Sequence, residues 1–190
     1  MIKKNKALIF GGSGFLGGHL CDLLYEKGFN VTVYDLKKNR ENKNIKFIKG
    51  SIEDVKEIAK HVKKYDYIFN FAGVSDIEKA NLNPIKAINQ NVIGTVNILE
   101  QIKNQKTLKR FIFSSSIYAL STQGGFYSST KRSCENIIED YANKYGLKFT
   151  ILRYGSIYGS RSNSFNALHN FVYQGLRFKK IERDGKGDEI

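Results

Sequence analysis

The chain has 190 residues and carries 31 Lys and Arg against 18 Asp and Glu, which gives a formal net charge of +13. A hydrophobic fraction of 41% and an aromatic fraction of 13% exclude a disordered chain. Two cysteines are too few for a disulfide framework, and the three histidines have no metal-ligand spacing. We therefore expect an ordinary hydrophobic core and no metal site.

The positive charge raises the question of a polyanionic partner. The lysines are scattered over many segments instead of forming one arm, so we predict a solvated basic surface and no nucleic-acid binding. An acidic part of the protein outside this chain would also account for the excess. The first apolar run, Ala7–Phe10, is too short for a signal peptide or a membrane span, which predicts a cytoplasmic protein.

Short apolar runs alternate with helical patterns along the chain. Leu16, Leu20, Leu23 and Leu24 predict the inner face of a first helix, which Gly28 ends. The strands predicted, in chain order, are Ala7–Phe10, Val31–Tyr34, Ile45–Ile48, Tyr67–Phe71, Phe111–Ser114 and Phe149–Tyr154.

The other helices are predicted from their ends. Residues 51–54 resemble a capping box that opens a second helix, with Val55 facing inward. Asn83 and Pro84 predict the N-cap and first residue of a long third helix, and a fourth begins near Phe126 and ends at a glycine. Strands and helices that alternate in this way predict an α/β fold, a doubly wound parallel sheet with helices on both faces.

A glycine-rich turn follows the first strand and opens the first helix. Gly11, Gly14 and Gly17 are spaced G-x-x-G-x-x-G, and Gly12, Gly14 and Gly17 are spaced G-x-G-x-x-G. Glycine permits the tight turn, lets the backbone approach a pyrophosphate and packs the helix close to the strand. Because N–H groups at the start of the helix then face the phosphates, the turn predicts a dinucleotide site.

Asp35 ends the second strand, 18 residues after Gly17. A carboxylate there accepts hydrogen bonds from an adenosine ribose and repels a 2′-phosphate, which favours NAD over NADP. Lys37, Lys38 and Arg40 follow closely and weaken that preference.

Hydroxyl and amine side chains follow the fifth strand. Ser114, Ser115 and Ser116 lie at its carboxyl end, the edge where ligands bind in open parallel sheets. Tyr127 and Lys131 are four residues apart and share a helix face, where a neighbouring cation favours the phenolate. This spacing predicts Tyr127 as a base and a serine as the group that orients the substrate oxygen; which serine depends on the strand register.

Together these residues resemble the extended short-chain dehydrogenase/reductase superfamily and, within it, the UDP-glucose 4-epimerase-like members of the NAD-dependent epimerase/dehydratase family, which act on nucleotide sugars. The resemblance covers essentially the whole chain. The segments that carry it are Gly11–Gly17, Asn70–Gly73, Asn89–Thr95, Ser114–Ser116 with Tyr127 and Lys131, and Leu152–Gly159.

The resemblance implies a Rossmann-like NAD-binding domain with a catalytic Ser-Tyr-Lys set, Ser116, Tyr127 and Lys131. Tyr127 would take a proton from a sugar hydroxyl that Ser116 holds, and Lys131 would hold the nicotinamide ribose and lower the pKa of Tyr127. The residues implied to bind NAD are Gly11, Gly14, Phe15, Leu16, Gly17, Asp35, Ser51, Ile52, Phe71, Ala72, Gly73, Asn91, Ser114, Tyr127, Lys131 and Tyr154.

Three departures from the family pattern bear on these roles. The family usually has Asp where this chain has Ser51, so a contact of Ser51 with adenine competes with its interpretation as a helix N-cap. Ser156 stands where the family often has Asn, which weakens one expected substrate contact. Ile117 and Tyr118 follow the serines where 4,6-dehydratases carry Asp-Glu, which favours epimerisation or simple oxidation over dehydration.

The resemblance therefore implies an NAD-dependent epimerase of a UDP-hexose that acts through a transient keto-sugar, with surface-polysaccharide synthesis and a homodimer as further expectations. The alternatives are a nucleotide-sugar dehydratase or an NAD(P)-dependent reductase of the same family. From another class, the alternative is a dinucleotide-binding module without catalysis.

The resemblance also implies a division of the chain. We expect an NAD-binding domain over residues 1–159 and the beginning of a C-terminal substrate-binding region over residues 160–190. The chain ends at Asp184–Ile190, where the family continues into further strands and helices. The expectation is a truncated chain that keeps the NAD-binding fold and turns over substrate poorly.

Overall fold

Six strands form one parallel sheet in the computed structural model, which describes residues 4–38, 44–162 and 166–182. Their order is β3-β2-β1-β4-β5-β6, and each neighbouring pair is parallel. This is the Rossmann strand order, which confirms the predicted fold class. The strands are β1 (Lys6–Phe10), β2 (Asn30–Asp35), β3 (Lys46–Lys49), β4 (Tyr67–Asn70), β5 (Arg110–Ser116) and β6 (Phe149–Tyr154).

The helices connect these strands. A π-helical segment, Ile88–Ile93, joins α4 to α5, and a 3-10 turn, Ile117–Leu120, follows β5. The α-helices of the described residues are α1 (Phe15–Glu26), α2 (Val55–His61), α3 (Ile77–Leu82), α4 (Pro84–Ala87), α5 (Gly94–Ile102), α6 (Gly125–Tyr145) and α7 (Ala167–Phe178). Arg40 and residues 184–190, which two of the predictions above concern, lie outside the described residues.

Side chains that alternate along each strand fill a core on each face of the sheet. Phe10 of β1 is fully buried in one core with Ile98 of α5 and Ile138 of α6. The adjacent Ile9 is fully buried in the other core with Cys21 of α1. The strand order reverses between β1 and β4, so the turns after these strands diverge and leave a crevice at the carboxyl edge.

Helix α1 turns its small residues, not all of its leucines, toward the sheet. Gly17, Gly18 and Cys21 are buried, whereas Leu23 is 52% exposed. Leu23 lies about 200° around the helix from Cys21. Because the face with the small residues packs against the sheet, Leu23 lies on the opposite side and is exposed to solvent. The prediction that Leu23 faces inward is wrong for this reason.

The start of α2 also differs from the predicted capping box. Asp54 is the N-cap, and its Oδ1 accepts a hydrogen bond from Glu57 N at 3.0 Å. The Ser51 hydroxyl instead accepts from Glu53 N at 3.1 Å and closes a turn before the helix. Val55 is 39% exposed. The interpretation of Ser51 as the N-cap is therefore wrong by three residues, because Asp54 supplies the stronger acceptor directly at the helix start.

The long third helix begins as predicted but is not continuous. Asn83 is the N-cap of α4 and accepts from Lys86 N, with Pro84 as the first helical residue. The π-helical segment that follows holds one more residue per turn than an α-helix would. Asn91 lies in this segment and is only 2% exposed, so the wider turn directs its amide into the interior.

The chain divides into two compact units, residues 1–154 and 155–190. The first unit contains the sheet. The second contains α7, whose N-cap Asn166 accepts from His169 N at 2.9 Å and whose residues are all at least partly exposed. The predicted boundary after residue 159 remains a proposal.

The two candidate caps of α2 can be distinguished by mutation. Asp54→Ala should lower the free energy of unfolding by about 1 kcal/mol, because a helical N–H loses its acceptor. Ser51→Ala, the matched control, should change it by less than about 0.5 kcal/mol. Urea unfolding followed by circular dichroism measures both; a larger loss in Ser51→Ala than in Asp54→Ala would restore the capping box at residues 51–54.

Candidate active site

The turn between β1 and α1 packs backbone against backbone. Gly11 has a φ of +77°, and a Cβ on it would lie 2.6 Å from the carbonyl carbon of Phe71. A Cβ on Gly17 would lie 2.2 Å from the carbonyl oxygen of Gly11. Gly14, the N-cap of α1, offers no side chain to the first N–H groups of the helix. These N–H groups are the ones that bind phosphate in dinucleotide sites.

Asp35, at the end of β2, is tied to this turn. Its Oδ2 accepts from Ser13 N at 2.9 Å, and its Oδ1 accepts from Leu36 N at 2.7 Å. The hydroxyl oxygen of Ser13 is buried and has no hydrogen-bond partner in the part of the chain that the structure describes. Phe15 and Leu16 follow at the start of α1 and are half-buried. Because each carboxylate oxygen has two lone pairs, Asp35 holds the turn and retains capacity to accept further hydrogen bonds.

The segment after β3 is held from two sides. The Tyr34 hydroxyl donates to the Ser51 carbonyl at 3.2 Å, and the Asn97 amide donates to the Ile52 carbonyl at 3.0 Å. Burial, with nearby carboxylates, raises the pKa of Tyr34 to about 12, so this hydroxyl remains a donor at neutral pH. Ile52 is buried in the core against Gly94. The contact of Ser51 and Ile52 with adenine stays a prediction.

Residues 71–73 follow β4 at the crevice. The Asn70 side-chain oxygen accepts from Ala72 N at 3.2 Å, which shapes the turn. Gly73 has a φ of +135°, a conformation that favours glycine. The rings of Phe71 and Tyr154 lie 6.2 Å apart, and burial raises the pKa of Tyr154. The structure thus brings Phe71 and Ala72 close to Gly11 of the glycine-rich turn, and Phe71 close to Tyr154 at the end of β6, whereas Gly73 lies against Asn91.

Asn91 was predicted to bind the cofactor, and its amide is otherwise engaged. Its Oδ1 accepts from Val74 N at 2.7 Å, and its Nδ2 donates to the Val74 carbonyl at 3.1 Å. The same Nδ2 donates to Thr130 Oγ1 at 3.0 Å. Both amide hydrogens are used within the protein, so Asn91 fastens the turn after β4 to α6. Its contact with the cofactor stays a prediction.

Ser116, Tyr127 and Lys131 come together at the carboxyl end of β5. The Ser116 side chain lies close enough to the Tyr127 hydroxyl to act on its pKa. The Ser116 hydroxyl oxygen accepts a hydrogen bond from Tyr118 N at 3.3 Å. Lys131 donates to the Ser114 carbonyl at 2.8 Å, and its Nζ lies 5.8 Å from the centre of the Tyr127 ring. The register of β5 therefore selects Ser116 as the serine beside Tyr127.

Burial is the largest influence on the pKa values of Tyr127 and Lys131. Burial raises the pKa of Tyr127, although the Ser116 side chain acts to lower it. Burial lowers the pKa of Lys131 to about 8, against the effects of Cys134 and Glu135, which raise it. The Lys131 ammonium donates to the Ser114 carbonyl in this structure, and its lowering of the pKa of Tyr127 stays a prediction.

Several residues at the site were missed by the sequence analysis. Asn70 donates to Thr95 Oγ1 at 3.0 Å, and Thr130 receives the amide of Asn91, as described above. Ser115 contacts Glu135, a buried carboxylate on α6. The signal for Glu135 was its position four residues after Lys131, on the same helix face.

The described residues contain no helix long and apolar enough to cross a membrane. Within the same ranges, no group of three or more His, Cys, Asp or Glu side chains is arranged to hold a metal ion. Cys21 and Cys134 are both buried and form no disulfide.

Replacing the buried ammonium should stabilise the protein. The shift in the pKa of Lys131 from 10.5 to about 8 corresponds to about 3 kcal/mol, and losing its hydrogen bond to Ser114 offsets about 1 kcal/mol. We expect Lys131→Met to raise the free energy of unfolding at pH 7 by about 2 kcal/mol, as measured by urea unfolding. Lys144→Met, an exposed lysine on the same helix, is the control and should change it by less than about 0.5 kcal/mol.

The pH dependence of this gain follows from the lowered pKa. Between about pH 8 and 10.5, Lys131 loses its proton in the folded protein before it does so in the unfolded chain, so wild-type stability from this group rises with pH. The difference in the free energy of unfolding between Lys131→Met and wild type should therefore decrease as the pH rises from about 8 to 10.5. A variant that is less stable than wild type at pH 7 would contradict the argument.

Comparison with known proteins bears on this site. Among curated proteins, the chain is 30% identical to UDP-N-acetyl-alpha-D-glucosaminuronate decarboxylase of Bacillus cytotoxicus, over 98% of this chain and 63% of that protein. It is 29% identical to UDP-glucuronate 4-epimerase 4 of Arabidopsis thaliana, over 92% of this chain and 46% of that protein. The chain thus spans about half to two thirds of the length of these relatives.

A solved structure and a family model extend the comparison. The crystal structure of UDP-glucose 4-epimerase with UDP-glucose from Thermotoga maritima has a TM-score of 0.86 and 29% identity, over 96% of this chain and 67% of that one. The model of the NAD dependent epimerase/dehydratase family matches residues 7–179, a range that holds the glycine-rich turn, Asp35 and the Ser-Tyr-Lys set. The chain therefore belongs to the NAD dependent epimerase/dehydratase family.

Proposed function

We propose that the protein acts as an NAD-dependent nucleotide-sugar epimerase. The observation that carries the proposal is that the buried side chains of Ser116, Tyr127 and Lys131 lie together at the same sheet edge as the glycine-rich turn. This edge is where open parallel sheets bind their ligands. Two hydroxyl groups and a buried amine lie here beside a turn of the kind that binds a dinucleotide. Such groups are suited to transferring the proton of an alcohol while the carbon of that alcohol exchanges a hydride with the cofactor.

The residues present fit NAD. The turn at Gly11 and Gly17 leaves no room for a Cβ, and the helix start at Gly14 is uncapped by any side chain, as a pyrophosphate requires. The buried Ser13 hydroxyl has no partner among the described residues, and Asp35 retains acceptor capacity toward a ribose. When bound there, NAD supplies the acceptor and donor of hydride.

The protein side chains would handle the proton. In its phenolate form, Tyr127 Oη would accept the proton of a sugar hydroxyl as the hydride leaves and return it when the hydride comes back, while Ser116 Oγ would hold the same sugar oxygen. Both side chains are buried, which excludes water from the proton transfer. Lys131 is largely protonated at pH 7, because its pKa is about 8, and its ammonium would bind the nicotinamide ribose.

The substrate proposed is a UDP-hexose. The relatives above carry UDP-sugar names, and one of the similar structures contains UDP-glucose. An epimerase is favoured over a dehydratase because Ile117 and Tyr118 follow the serines and offer no carboxylate there. A cytoplasmic location belongs to the same proposal and is supported by the two buried thiols, which form no disulfide and so suit a reducing compartment.

A homodimer is also part of the proposal. Leu82 is 79% exposed and Ile85 is 74% exposed, at the junction of α3 and α4. Apolar side chains this exposed are suited to contact with a second copy.

Binding of NADH to the 190-residue protein tests the cofactor proposal. Wild type should enhance and blue-shift NADH fluorescence, and Gly17→Ala should weaken the affinity at least about tenfold, because the added Cβ would displace the Gly11 carbonyl. The control is Gly146→Ala at the end of α6, where φ is +71° and the added Cβ meets nothing within 4 Å. It should lose stability and keep the wild-type Kd; a wild-type protein that binds no NADH would contradict the proposal.

Turnover of UDP-glucose and UDP-galactose tests the reaction. Tyr127→Phe should lower the rate of interconversion about 10²- to 10⁴-fold, because the proton acceptor is lost, while the Kd for NADH changes little. Tyr141→Phe, which removes a hydroxyl from the same helix at a contact with Glu100, should keep the wild-type rate. Chromatography identifies the products: loss of water would indicate a dehydratase, and net consumption of cofactor would indicate a reductase.

A further inference from the structure

Glu135 is a buried carboxylate on α6 that the proposed reaction does not use. It is 5% exposed and lies one helical turn beyond Lys131. Its Oε1 accepts from the Ser115 hydroxyl. Arg153 donates hydrogen bonds to this carboxylate from two nitrogens. Its Nε lies 3.1 Å from Oε1 and 3.2 Å from Oε2, and its Nη2 lies 2.7 Å from Oε2. A carboxylate with this many donors is held in one orientation.

These contacts join the three elements that carry the proposed site. Ser115 and Arg153 are register partners on β5 and β6, so their side chains point to the same face of the sheet. Ser115 directly precedes Ser116 on β5, and Arg153 directly precedes Tyr154 on β6. Glu135 therefore ties α6 to both strand ends at the position where the proposed catalytic hydroxyls begin.

The carboxylate is ionised at neutral pH. Burial acts to raise the pKa of Glu135, but hydrogen bonds from Arg153 and Ser115 outweigh it and hold the pKa below its usual value. The Arg153 side chain remains 41% exposed, so one half of the ion pair is solvated and the other is not. Such a pair adds little net stability compared with apolar side chains of the same volume, which leaves geometry as its main contribution.

We propose that Glu135 is a positioning residue, whose carboxylate fastens α6 to the ends of β5 and β6 and so keeps Tyr127 beside Ser116. The proposal rests on the proposed function in that Tyr127 and Ser116 are taken as the reacting pair. Glu135 itself touches neither substrate nor cofactor in this role.

The test uses a spectroscopic signal of Tyr127 that does not depend on cofactor. With tyrosine labelled by ¹³C at Cζ, the Tyr127 resonance is assigned by its loss in Tyr127→Phe. Its shift in Ser116→Ala defines the state in which Tyr127 lacks the neighbouring Ser116 hydroxyl. Glu135→Gln keeps the shape of the side chain and removes its charge, and should move the Tyr127 resonance most of the way to the Ser116→Ala position. In the same variant, the Kd for NADH should rise about tenfold, because Lys131 is displaced with α6.

Two further variants separate positioning from charge and from general destabilisation. Ser115→Ala leaves Glu135 ionised but breaks its tie to β5, so it should move the Tyr127 resonance in the same direction by a smaller amount. Glu100→Gln is the matched control, because Glu100 on α5 also accepts from a side chain of α6, Tyr141, and pairs with Lys103. It should leave the Tyr127 resonance and the Kd unchanged.

Amide spectra show whether each variant is folded, and Ser115→Ala carries the test if Glu135→Gln does not fold. A Tyr127 resonance that stays at the wild-type position in folded Glu135→Gln, or in Ser115→Ala, would overturn the proposal. Movement of the resonance to an equal extent in Glu100→Gln would overturn it as well. If the wild-type protein binds no NADH, the proposed function fails, whereas the Tyr127 resonance still decides whether Glu135 positions the pair.

Discussion

The close approach of β1 to α1 is the constraint on which the rest of the site depends. At Gly17 the helix lies against the Gly11 carbonyl oxygen, at a distance that no side chain would permit. Asp35 then reaches Ser13 N from the next strand and holds the turn in this form. The N-terminus of α1 is thereby aimed along the crevice that the strand order opens between β1 and β4.

The second feature that organises the molecule is the row of buried polar residues on α6. Tyr127, Thr130, Lys131 and Glu135 are each less than 10% exposed, and each is matched to a different partner in the surrounding elements. Thr130 Oγ1 accepts a hydrogen bond from the Asn91 amide, and Lys131 donates one to a carbonyl of β5. Glu135 accepts hydrogen bonds from side chains of both β5 and β6. A helix with this many buried polar contacts has one position in which all are satisfied, which is what a proton-transfer geometry requires.

This arrangement has a thermodynamic cost at Lys131. A buried ammonium with a pKa of about 8 is less favourable in the folded protein than in water. The cation lies 4.9 Å from the centre of the Phe113 ring, and Glu135 offsets part of the burial. Strained electrostatics of this kind, at the edge of a sheet that is otherwise well packed, are typical of sites where function and stability compete.

The sequence by itself determined the α/β class, the alternating strands and helices, the glycine-rich turn and the family. Hydrophobic periodicity, motif spacing and turn residues are local properties of the chain and can be read from it directly. Tyr127 and Lys131 were also found from spacing, since a separation of four residues places two side chains on one helix face, whereas Ser116 was implied by the family resemblance. Only the tertiary structure decided that Asp54 caps α2, that a π-helical segment turns Asn91 inward, and that Glu135 joins α6 to β5 and β6. These depend on which groups meet across the fold and on how completely they are removed from water, and neither is encoded in the distance between residues along the chain.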